Sequence, residues 1–372
     1  MYIKSLKLQN FRNYADESFA FDPAVNLICG ENGQGKTNLL EAAAACSTMR
    51  LFRTAQKKEG LRFGENHAFI FADFLAQERD ISLELRFSRT KAMEIYKNGV
   101  RQKRQSDAQG LLKTVLFCPE DLYLIREGAA ARRGFLDDCI CQLRPRYAQA
   151  LAEYKRLHEH KTRILRDSEE KPSLLDALDE FSMSMAKAGA LLIHYRAHFI
   201  KRLCQAAPAI HGDFSGGRER LTLRYETVST VTDPEAGPQV IFQQLLQHQE
   251  EHRAAEIASR QCLSGPHKDD LLVKIDGQAA KSYASQGQTR TAALSLKLAA
   301  REIFQQDTGE YPVLLLDDVL SELDGSRQRY LLENIHDIQT MITCTGVDDF
   351  VENNFQIDRL FQVVEGTVER RN

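Results

Sequence analysis

The sequence predicts an α/β fold with a mixed sheet and an inserted α-helical arm lobe. Residues 30–37 form a glycine-rich loop between a short apolar segment and an Ala- and Leu-rich stretch, which is the pattern of a strand, a turn and a helix. A second apolar segment, residues 313–318, ends in two aspartates and follows about 280 residues later. Since a compact domain usually spans about 100–200 residues, this separation predicts an insertion between the two segments.

The glycine-rich loop has the sequence of a phosphate-binding loop. It consists of Gly30, Glu31, Asn32, Gly33, Gln34, Gly35, Lys36 and Thr37. The glycines let backbone N–H groups turn toward phosphate oxygens, and the following helix directs its positive end at them. We expect Lys36 to neutralise the β- and γ-phosphates as a catalytic residue, and Thr37 to ligate Mg²⁺. A connection without a ligand is the alternative; the preceding apolar strand and the Lys-Thr pair argue against it.

The second apolar segment supplies the predicted metal-binding carboxylate. Residues 313–316 are continuously apolar, which is typical of a strand buried on both faces of a parallel sheet. Asp317 and Asp318 follow at the edge where open α/β sheets bind ligands. We expect Asp317 to hold Mg²⁺ and Asp318 to act as the general base toward the attacking water. The alternative is that the pair caps the following helix.

A polar segment precedes a long helical pattern at residues 289–306. It consists of Ser285, Gln286, Gly287 and Gln288. Ser285 is a suitable N-cap, so a simple helix cap is one interpretation. In company with the two motifs above, the segment resembles the signature loop of ABC-type ATPases, in which the loop of one subunit covers the γ-phosphate bound by the other. Residues 321–324, which end in Asp324, resemble the D-loop that crosses the same interface.

Taken together, these segments resemble the SMC-like branch of ABC ATPases and, within it, the RecF family of bacterial recombinational repair proteins. The resemblance extends over nearly the whole chain. Its motifs lie at residues 6–14, 33–41, 117–122, 132–137, 265–270 and 285–288. One departure is visible, because His160, Lys161 and Thr162 stand where RecF sequences usually carry Gln-Arg-Asn. No family role is therefore transferred to this tripeptide.

The resemblance implies properties that the motifs alone do not. Arg12, Asn13, Asn38 and Asp324 join the phosphate loop and residues 285–288 as nucleotide-binding residues, although residues 12–13 also fit a turn at a strand end. The implied cofactors are ATP and Mg²⁺, and the implied activity is a weak, DNA-stimulated ATPase. ATP-driven homodimerisation would clamp double-stranded DNA near gaps, and slow hydrolysis would release it. The implied processes are DNA repair, replication and the SOS response. The implied protein partner is RecR, which acts with RecO to load RecA.

Composition narrows the class of protein. The formal net charge of the 372-residue chain is −3, so DNA binding would require a local basic face. No stretch approaches the ~20 apolar residues that span a bilayer, and the N-terminus lacks the pattern of a secretory signal. The eight cysteines show no disulfide-framework spacing. We therefore expect reduced cysteines and a cytoplasmic location.

Periodicity predicts a domain organisation in three segments. Residues 1–119 are expected to form the N-terminal part of the ATPase head, including a strand at 81–87 and a hairpin turn at Asn98-Gly99. Residues 120–212 form the arm lobe, with one helix that begins at Pro145 and another over residues 173–206. Residues 213–372 complete the head, because β-alternation returns at residues 221–225.

Two clusters of polar residues leave alternatives open. The arm carries Arg132, Arg133, Arg144, Arg146, Lys155, Arg156, Lys161, Arg163, Arg166, Lys201 and Arg202. These side chains could contact DNA phosphates, or they form an ordinary solvated face with the interspersed glutamates, so the DNA-contacting residues stay unassigned. His267, Asp269 and Asp270 are metal-ligand types, but Gly265 and Pro266 indicate a shaped turn and a structural or interface role.

Two other functional classes were compared with this interpretation. An ATPase subunit of a membrane transporter is disfavoured, because the chain has a long helical arm and its signature segment departs from Leu-Ser-Gly-Gly-Gln. An ATP-gated nuclease would need an additional acidic, Toprim-like domain. Only about 50 residues follow Asp324, fewer than a domain of typical size requires.

Overall fold

The computed structural model describes residues 1–54, 56–335, 338–346 and 356–371. The chain divides into two compact units. The first unit comprises residues 1–121 and 294–372, and the second comprises residues 122–293. We expected the inserted lobe to end at residue 212, but the second unit continues through the Ser285 segment into the helix that follows it.

The described residues form fifteen strands and nine α-helices. The strands are β1 (Tyr2–Phe11), β2 (Tyr14–Ala20), β3 (Val25–Cys29), β4 (His67–Ala76), β5 (Arg79–Ser88), β6 (Glu94–Lys97), β7 (Val100–Arg101), β8 (Thr114–Phe117), β9 (Leu221–Glu226), β10 (Asp270–Ile275), β11 (Gln278–Ala279), β12 (Val313–Leu316), β13 (Thr340–Cys344), β14 (Arg359–Val364) and β15 (Thr367–Arg371). The helices are α1 (Lys36–Thr48), α2 (Leu122–Arg126), α3 (Ala129–Leu143), α4 (Pro145–Asp167), α5 (Leu178–Ser215), α6 (Pro238–Ser259), α7 (Ala280–Tyr283), α8 (Gln286–Thr308) and α9 (Gly325–Glu333).

A mixed sheet in the first unit positions the phosphate loop. Its strand order is β15-β14-β3-β13-β12-β8, with β15 antiparallel to β14 and the other pairings parallel. Every residue of β3 and of β12 is buried, as their mainly apolar sequences predict, and this includes the one polar residue, Asn26. Strand β13 lies between these two strands. The carboxyl ends of β3 and β12 are therefore two strand positions apart and lie on the same side of the sheet.

An antiparallel sheet and helix α1 complete the first unit. The sheet has the order β2-β1-β4-β5-β6-β7, and Asn98 and Gly99 form the predicted hairpin turn with positive φ angles of 48° and 76°. Apolar residues of both sheets and of α1 belong to one core cluster. Four consecutive alanines of α1, residues 42–45, are buried there. Their small side chains let the helix approach the sheets closely while it presents its N-terminus to the phosphate loop.

The second unit contains the predicted helical pair and an unpredicted small sheet. Helix α4 begins at Pro145, as expected. Helix α5 starts later and ends later than predicted, since a 3₁₀ turn occupies Pro172–Ala177 and the helix continues to Ser215. Its 38 residues span about 57 Å. Strand β9 pairs with β10 in a three-stranded sheet, so residues 221–225 belong to this unit and do not mark a return to the head.

A buried ion network explains the aspartate at position 269. Arg196 donates to Asp269 Oδ2 at 2.9 Å and to Asp137 Oδ1 at 2.8 Å. Thr227 and Tyr225 donate to the same Asp269 carboxylate. Burial raises the pKa of Asp269, whereas the positive charge of Arg196 lowers it. Because all these groups lie in the second unit and satisfy one another, the network holds α3, α5 and the β9–β10 pair together.

His267 and Asp270 also contact protein groups. The His267 Nδ1 accepts from the Tyr154 hydroxyl at 2.7 Å, and its Nε2 donates to the Cys262 carbonyl at 2.9 Å. The Cys262 carbonyl can only accept, so Nε2 carries a proton, and burial lowers the pKa of His267 to about 3, which keeps the ring neutral near pH 7. Asp270 accepts two hydrogen bonds from Arg132, at 2.6 and 2.8 Å. These contacts favour the structural interpretation of residues 267–270.

Several basic residues of the arm are bound to carboxylates of the same unit. Arg132 is buried against Asp270, and Lys161 is buried in a 2.6 Å ion pair with Glu256 of α6. Lys161 belongs to the tripeptide that departs from the family pattern, so this departure is accommodated by a buried pair. At the surface, Lys201 pairs with Glu235. Arg132, Lys161 and Lys201 are therefore already paired within the protein.

Candidate nucleotide-binding site

The phosphate loop connects β3 to α1 and takes the turns that its glycines permit. Gly33 and Gly35 have φ angles of 82° and 119°, in the region that residues with a side chain rarely adopt. A Cβ at Gly35 would lie 2.6 Å from the Asn13 amide nitrogen. The loop therefore depends on glycine for its conformation and, at Gly35, for its close approach to Asn13.

Lys36 lies inside the loop. Its side chain is almost fully buried, and its Nζ donates to the carbonyl oxygens of Gly30 at 2.7 Å and Glu31 at 3.0 Å. These oxygens hold the ammonium group at the start of α1, where the helix also directs its backbone N–H groups. The arrangement places a cation and a set of donors together, which is the requirement for binding a phosphate chain.

Thr37 and Asp317 meet across the mixed sheet. The Thr37 hydroxyl donates to Asp317 Oδ1 at 2.9 Å, which joins two residues that are 280 positions apart in the sequence. Burial raises the pKa of Asp317 to about 6; the charges of Asp318 and Glu120 raise it as well, and hydrogen bonds from Thr343 and Thr37 oppose them. A hydroxyl beside a buried carboxylate is a hard oxygen donor set, so these residues fit Mg²⁺.

Asp318 has a different environment from Asp317. It adopts a positive φ of 50°, and its backbone N–H donates to the Thr343 hydroxyl at 2.8 Å. Asp318 is only partly buried, whereas Asp317 is 4% exposed. The two neighbouring carboxylates are therefore suited to different tasks, the buried one to a metal ion and the more exposed one to a water molecule.

Polar residues from the β1–β2 turn and from α1 support the loop from one side. The Asn13 amide donates to the Gln34 carbonyl at 2.7 Å and accepts from the Asn38 amide at 2.8 Å. Arg12 instead forms a two-pronged ion pair with the buried Glu41, at 2.7 and 3.0 Å. The structure thus brings Asn13 to the loop backbone, holds Asn13 in place through Asn38, and engages Arg12 with α1.

The Ser285 segment forms a capping box at the start of α8. The Gln288 N–H donates to the Ser285 hydroxyl at 3.2 Å, and the Ser285 N–H donates to the Gln288 side chain at 2.9 Å. Gln286 is exposed and Gly287 is partly buried. The predicted N-cap is therefore confirmed, and the cap leaves a polar helix start with Gln286 exposed.

Asp324 also caps a helix. Its carboxylate accepts from the Arg327 N–H at 3.1 Å at the start of α9, and it forms an ion pair with the Arg327 side chain. These contacts lower the pKa of Asp324. Residues 320–322 form the 3₁₀ turn that connects β12 to this cap.

Sequence reasoning missed three residues that hold the site. Thr343, at the end of β13, donates to Asp317 Oδ1 at 2.9 Å and accepts from the Asp318 backbone N–H at 2.8 Å, so it contacts both residues. The Tyr14 hydroxyl donates to the Gly35 carbonyl at 2.9 Å, and the Gly366 N–H donates to the Gln34 carbonyl at 3.0 Å. The signal available for Thr343 was its position as a polar residue at the end of an apolar strand. Which strands lie beside β13 is known only from the fold.

Comparison with known proteins identifies the family to which this site belongs. Residues 2–369 match the family described as the RecF/RecN/SMC N-terminal domain. A protein of Agathobacter rectalis described as DNA replication and repair protein RecF is 40% identical over 369 residues, which cover 99% of each chain. The chain belongs to the RecF family. A RecF of Lachnoclostridium phytofermentans is 39% identical over the full length of both chains.

Solved structures agree with RecF-family membership. A structure described as the recombination mediator protein RecF with ATP, in the RecFOR pathway, has a TM-score of 0.92 and 32% identity, covering 100% of this chain and 98% of that one. An Smc head domain derived from Pyrococcus furiosus has a TM-score of 0.57 at 16% identity, covering 100% of this chain and 96% of that one, and shows the fold alone. The predicted ABC-type ATPase fold is confirmed. No helix of the part of this RecF-family chain that the structure describes is long and apolar enough to cross a bilayer.

Proposed function

We propose that the protein is an ATP-dependent DNA-binding protein of recombinational repair and replication, in which ATP drives two heads together. The observation that carries the proposal is the contact between Thr37 and Asp317, which joins the phosphate loop to the acidic strand. The relatives described as DNA replication and repair protein RecF, and the similar solved structure of RecF with ATP, support the same activity.

The residues of one head divide the work of ATP binding and hydrolysis. Lys36 and the loop N–H groups bind the phosphates, while Thr37 and Asp317 would hold the Mg²⁺ ion. Mg²⁺, when bound, supplies positive charge to the phosphate oxygens. Asp318 accepts the proton of the attacking water as general base. Thr343 holds the Asp317 carboxylate and the Asp318 backbone N–H, and so fixes the position of the general base relative to the metal-binding carboxylate.

Two copies of the chain are needed for a complete site. Residues 285–288 of one copy cover the γ-phosphate bound by the other, and Asp324 lies at the same interface. ATP stabilises the closed dimer because the dimer offers the nucleotide more contacts than the monomer does. Hydrolysis removes the γ-phosphate and lets the dimer open, so a weak ATPase acts as a timer.

The closed dimer holds double-stranded DNA near the junctions of single-stranded gaps, in the bacterial cytoplasm. DNA stimulates the slow hydrolysis that ends this residence. RecR is the protein partner. Together with RecO, it loads RecA at the junction where the dimer is bound. The relatives described as DNA replication and repair protein RecF support a role in repair and replication, and the similar solved structure described as a recombination mediator in the RecFOR pathway supports a role in recombination.

Sedimentation velocity tests the dimer. We expect a monomer without nucleotide and a dimer with ATP and Mg²⁺, and the dimer should bind duplex DNA more weakly at high salt. Lys36→Ala should remain monomeric under all conditions. A wild-type monomer that does not respond to ATP would contradict the proposed switch.

Asp318→Asn tests the division of roles between the two carboxylates. The variant should bind ATP and form the dimer, but hydrolysis should slow by about 100-fold or more, because the general base is lost. Dimers should therefore persist after ATP is added. Wild-type turnover by this variant would show that Asp318 is not the base.

A further inference from the structure

A basic surface with an exposed aromatic side chain lies beside β4 and β5 in the first unit. Residues 50–63 contain five basic residues and one acidic residue, although the whole chain carries a net charge of −3. Lys58, Arg62 and Phe63 are exposed in this stretch. This stretch is therefore more basic than the chain as a whole.

The stretch is held in place by the core beneath it. The Arg12 N–H donates to the Gly60 carbonyl, and the Arg62 N–H donates to the Asn10 carbonyl, both at 2.8 Å. Leu61 is buried and bridges to Phe11 of β1. Because these anchors fix the backbone, Arg62 and Phe63 are presented outward from a defined position.

A second segment extends the same surface. The Arg89 N–H, just after β5, donates to the Asn66 carbonyl at 3.0 Å, and its guanidinium donates to the Glu65 carbonyl at 3.0 Å. Arg89 and Lys91 are both exposed. We call Lys58, Arg62, Phe63, Arg89 and Lys91 the β4–β5 basic surface.

The cations of this surface differ from Lys161 and Lys201 of the arm. Lys201 and Lys161 each pair with a carboxylate. In the part of the chain that the structure describes, no carboxylate lies within ion-pair distance of Lys58, Arg62 or Lys91. These cations are thus available to an anionic partner, whereas the two lysines of the arm are already neutralised.

Phe63 decides which anionic partner fits. Its side chain is fully exposed at 102% relative accessibility, the highest value among the exposed large hydrophobic residues of the described chain. A phosphate group gains nothing from contact with an apolar ring. An unpaired nucleic-acid base does, because aromatic side chains stack on bases that are not covered by a neighbouring base. An aromatic ring surrounded by cations is therefore suited to bind a DNA duplex at the point where its base stack is interrupted.

We propose that the β4–β5 basic surface binds DNA at a gap junction, with Phe63 stacked on the exposed terminal base and the four cations on the flanking phosphates. The inference rests on the proposed function and assigns to it the contacting residues that the sequence left open. Phe63 supplies the preference for a junction over continuous duplex, and the cations supply affinity that does not depend on sequence.

Fluorescence anisotropy with a labelled gapped duplex and a labelled continuous duplex, in ATP and Mg²⁺ at several salt concentrations, tests the surface. Lys58→Glu/Arg62→Glu should raise the Kd for both DNAs by about tenfold and reduce the salt slope by about two. Phe63→Ser should lower affinity for the gapped duplex by about tenfold, with a much smaller effect on the continuous duplex. Lys103→Glu/Arg104→Glu, an exposed basic pair outside the surface, is the matched control and should bind as the wild type does.

The outcomes separate this inference from the proposed function. If the wild type binds DNA and forms ATP-dependent dimers, but the surface variants bind as tightly as the control, the surface is wrong and the proposed function stands. Equal losses in the control pair would also reject the surface, because they would indicate a general charge effect. If the wild type binds neither DNA, both proposals fail.

Discussion

Thr343 is the residue on which the geometry of the two site carboxylates depends. Its hydroxyl has one proton, which it donates to Asp317, and a lone pair that accepts the Asp318 N–H. The hydroxyl is buried, so no water can replace these bonds at low cost. The side chain therefore fixes a metal-binding carboxylate and a general base relative to each other, without touching a phosphate itself.

Thr343→Val tests this positioning role. The substitution keeps the shape of the side chain and removes both hydrogen bonds, so ATP binding should change little while hydrolysis falls by about 10- to 100-fold. Nucleotide binding and single-turnover hydrolysis are the measurements. Thr345→Val, at an exposed threonine two residues later, is the matched control. An unchanged hydrolysis rate in Thr343→Val would exclude the positioning role.

Residues with a local signature could be predicted from the sequence, and residues defined by the fold could not. Lys36 and Thr37 follow glycines in a fixed pattern, and Asp317 ends an apolar strand, so their types and neighbours indicate their place. Thr343 and Gly366 contact the site only because β13 and the β14–β15 pair lie beside β3. Strand order is a long-range property that no local pattern encodes.

The capping box at the start of α8 gives the Ser285 segment its defined shape. The reciprocal bonds between Ser285 and Gln288 satisfy two backbone N–H groups that would otherwise lack partners. In the proposed dimer the same helix start meets a γ-phosphate, where a negative side chain would be repelled. A substitution at Ser285 can therefore preserve the helix and still change the interface.

Ser285→Asp and Ser285→Asn form a matched pair for this helix start. Both residues are good N-caps, so α8 should retain its stability in each variant. The added negative charge of Ser285→Asp should prevent ATP-dependent dimerisation and leave ATP binding by the monomer intact, whereas Ser285→Asn should dimerise. Sedimentation velocity and nucleotide binding measure the two properties. Loss of monomer ATP binding in Ser285→Asp would contradict an arrangement in which the segment serves the partner's site.

The neutral His267 makes the stability of the second unit depend on pH. Its pKa of about 3 lies below the value of about 6.5 for an unfolded histidine, so the unfolded chain binds more protons between these values. The contribution of the neutral His267 to the stability of the folded unit is complete above pH 6.5 and is lost as the pH falls toward 3. Between pH 7.5 and 5.0 the expected loss in the free energy of unfolding is about 2 kcal/mol.

Urea unfolding at pH 7.5 and 5.0 measures this dependence. Far-UV circular dichroism is the appropriate probe, since the chain has no tryptophan. His267→Gln should be less stable than the wild type at pH 7.5, but its stability should fall less on acidification. Equal pH dependence in both proteins would show that His267 does not remain neutral in the folded unit.

At the level of elements, the sequence predicted what local periodicity determines. The first residue of α4 and the buried strands β3 and β12 agree with the structure, because Pro145 fixes a helix start and continuous apolar runs indicate buried strands. The extent of the second unit was not predicted. Residues 221–225 alternate as any half-buried strand does, and only their pairing with β10 assigns them to that unit.

For the molecule as a whole, the proposed switch links nucleotide binding to association. If the dimer binds ATP more tightly than the monomer does, then ATP favours the dimer by the same factor, because the coupling free energy is reciprocal. The apparent affinity for ATP must then depend on the concentration of the protein itself. A protein whose two heads close for another reason, without sharing the nucleotide, would not show this dependence.

The apparent Kd for a non-hydrolysable ATP analogue should therefore fall as protein concentration is raised through the range where dimers form. A coupling of at least about 1 kcal/mol predicts a fall of fivefold or more. Ser285→Asp, which should bind the analogue only as a monomer, should give one Kd at every concentration, equal to the limiting value of the dilute wild type. A wild-type Kd that stays constant while sedimentation shows dimers would mean that association and nucleotide binding are independent, and that ATP does not hold the two heads together.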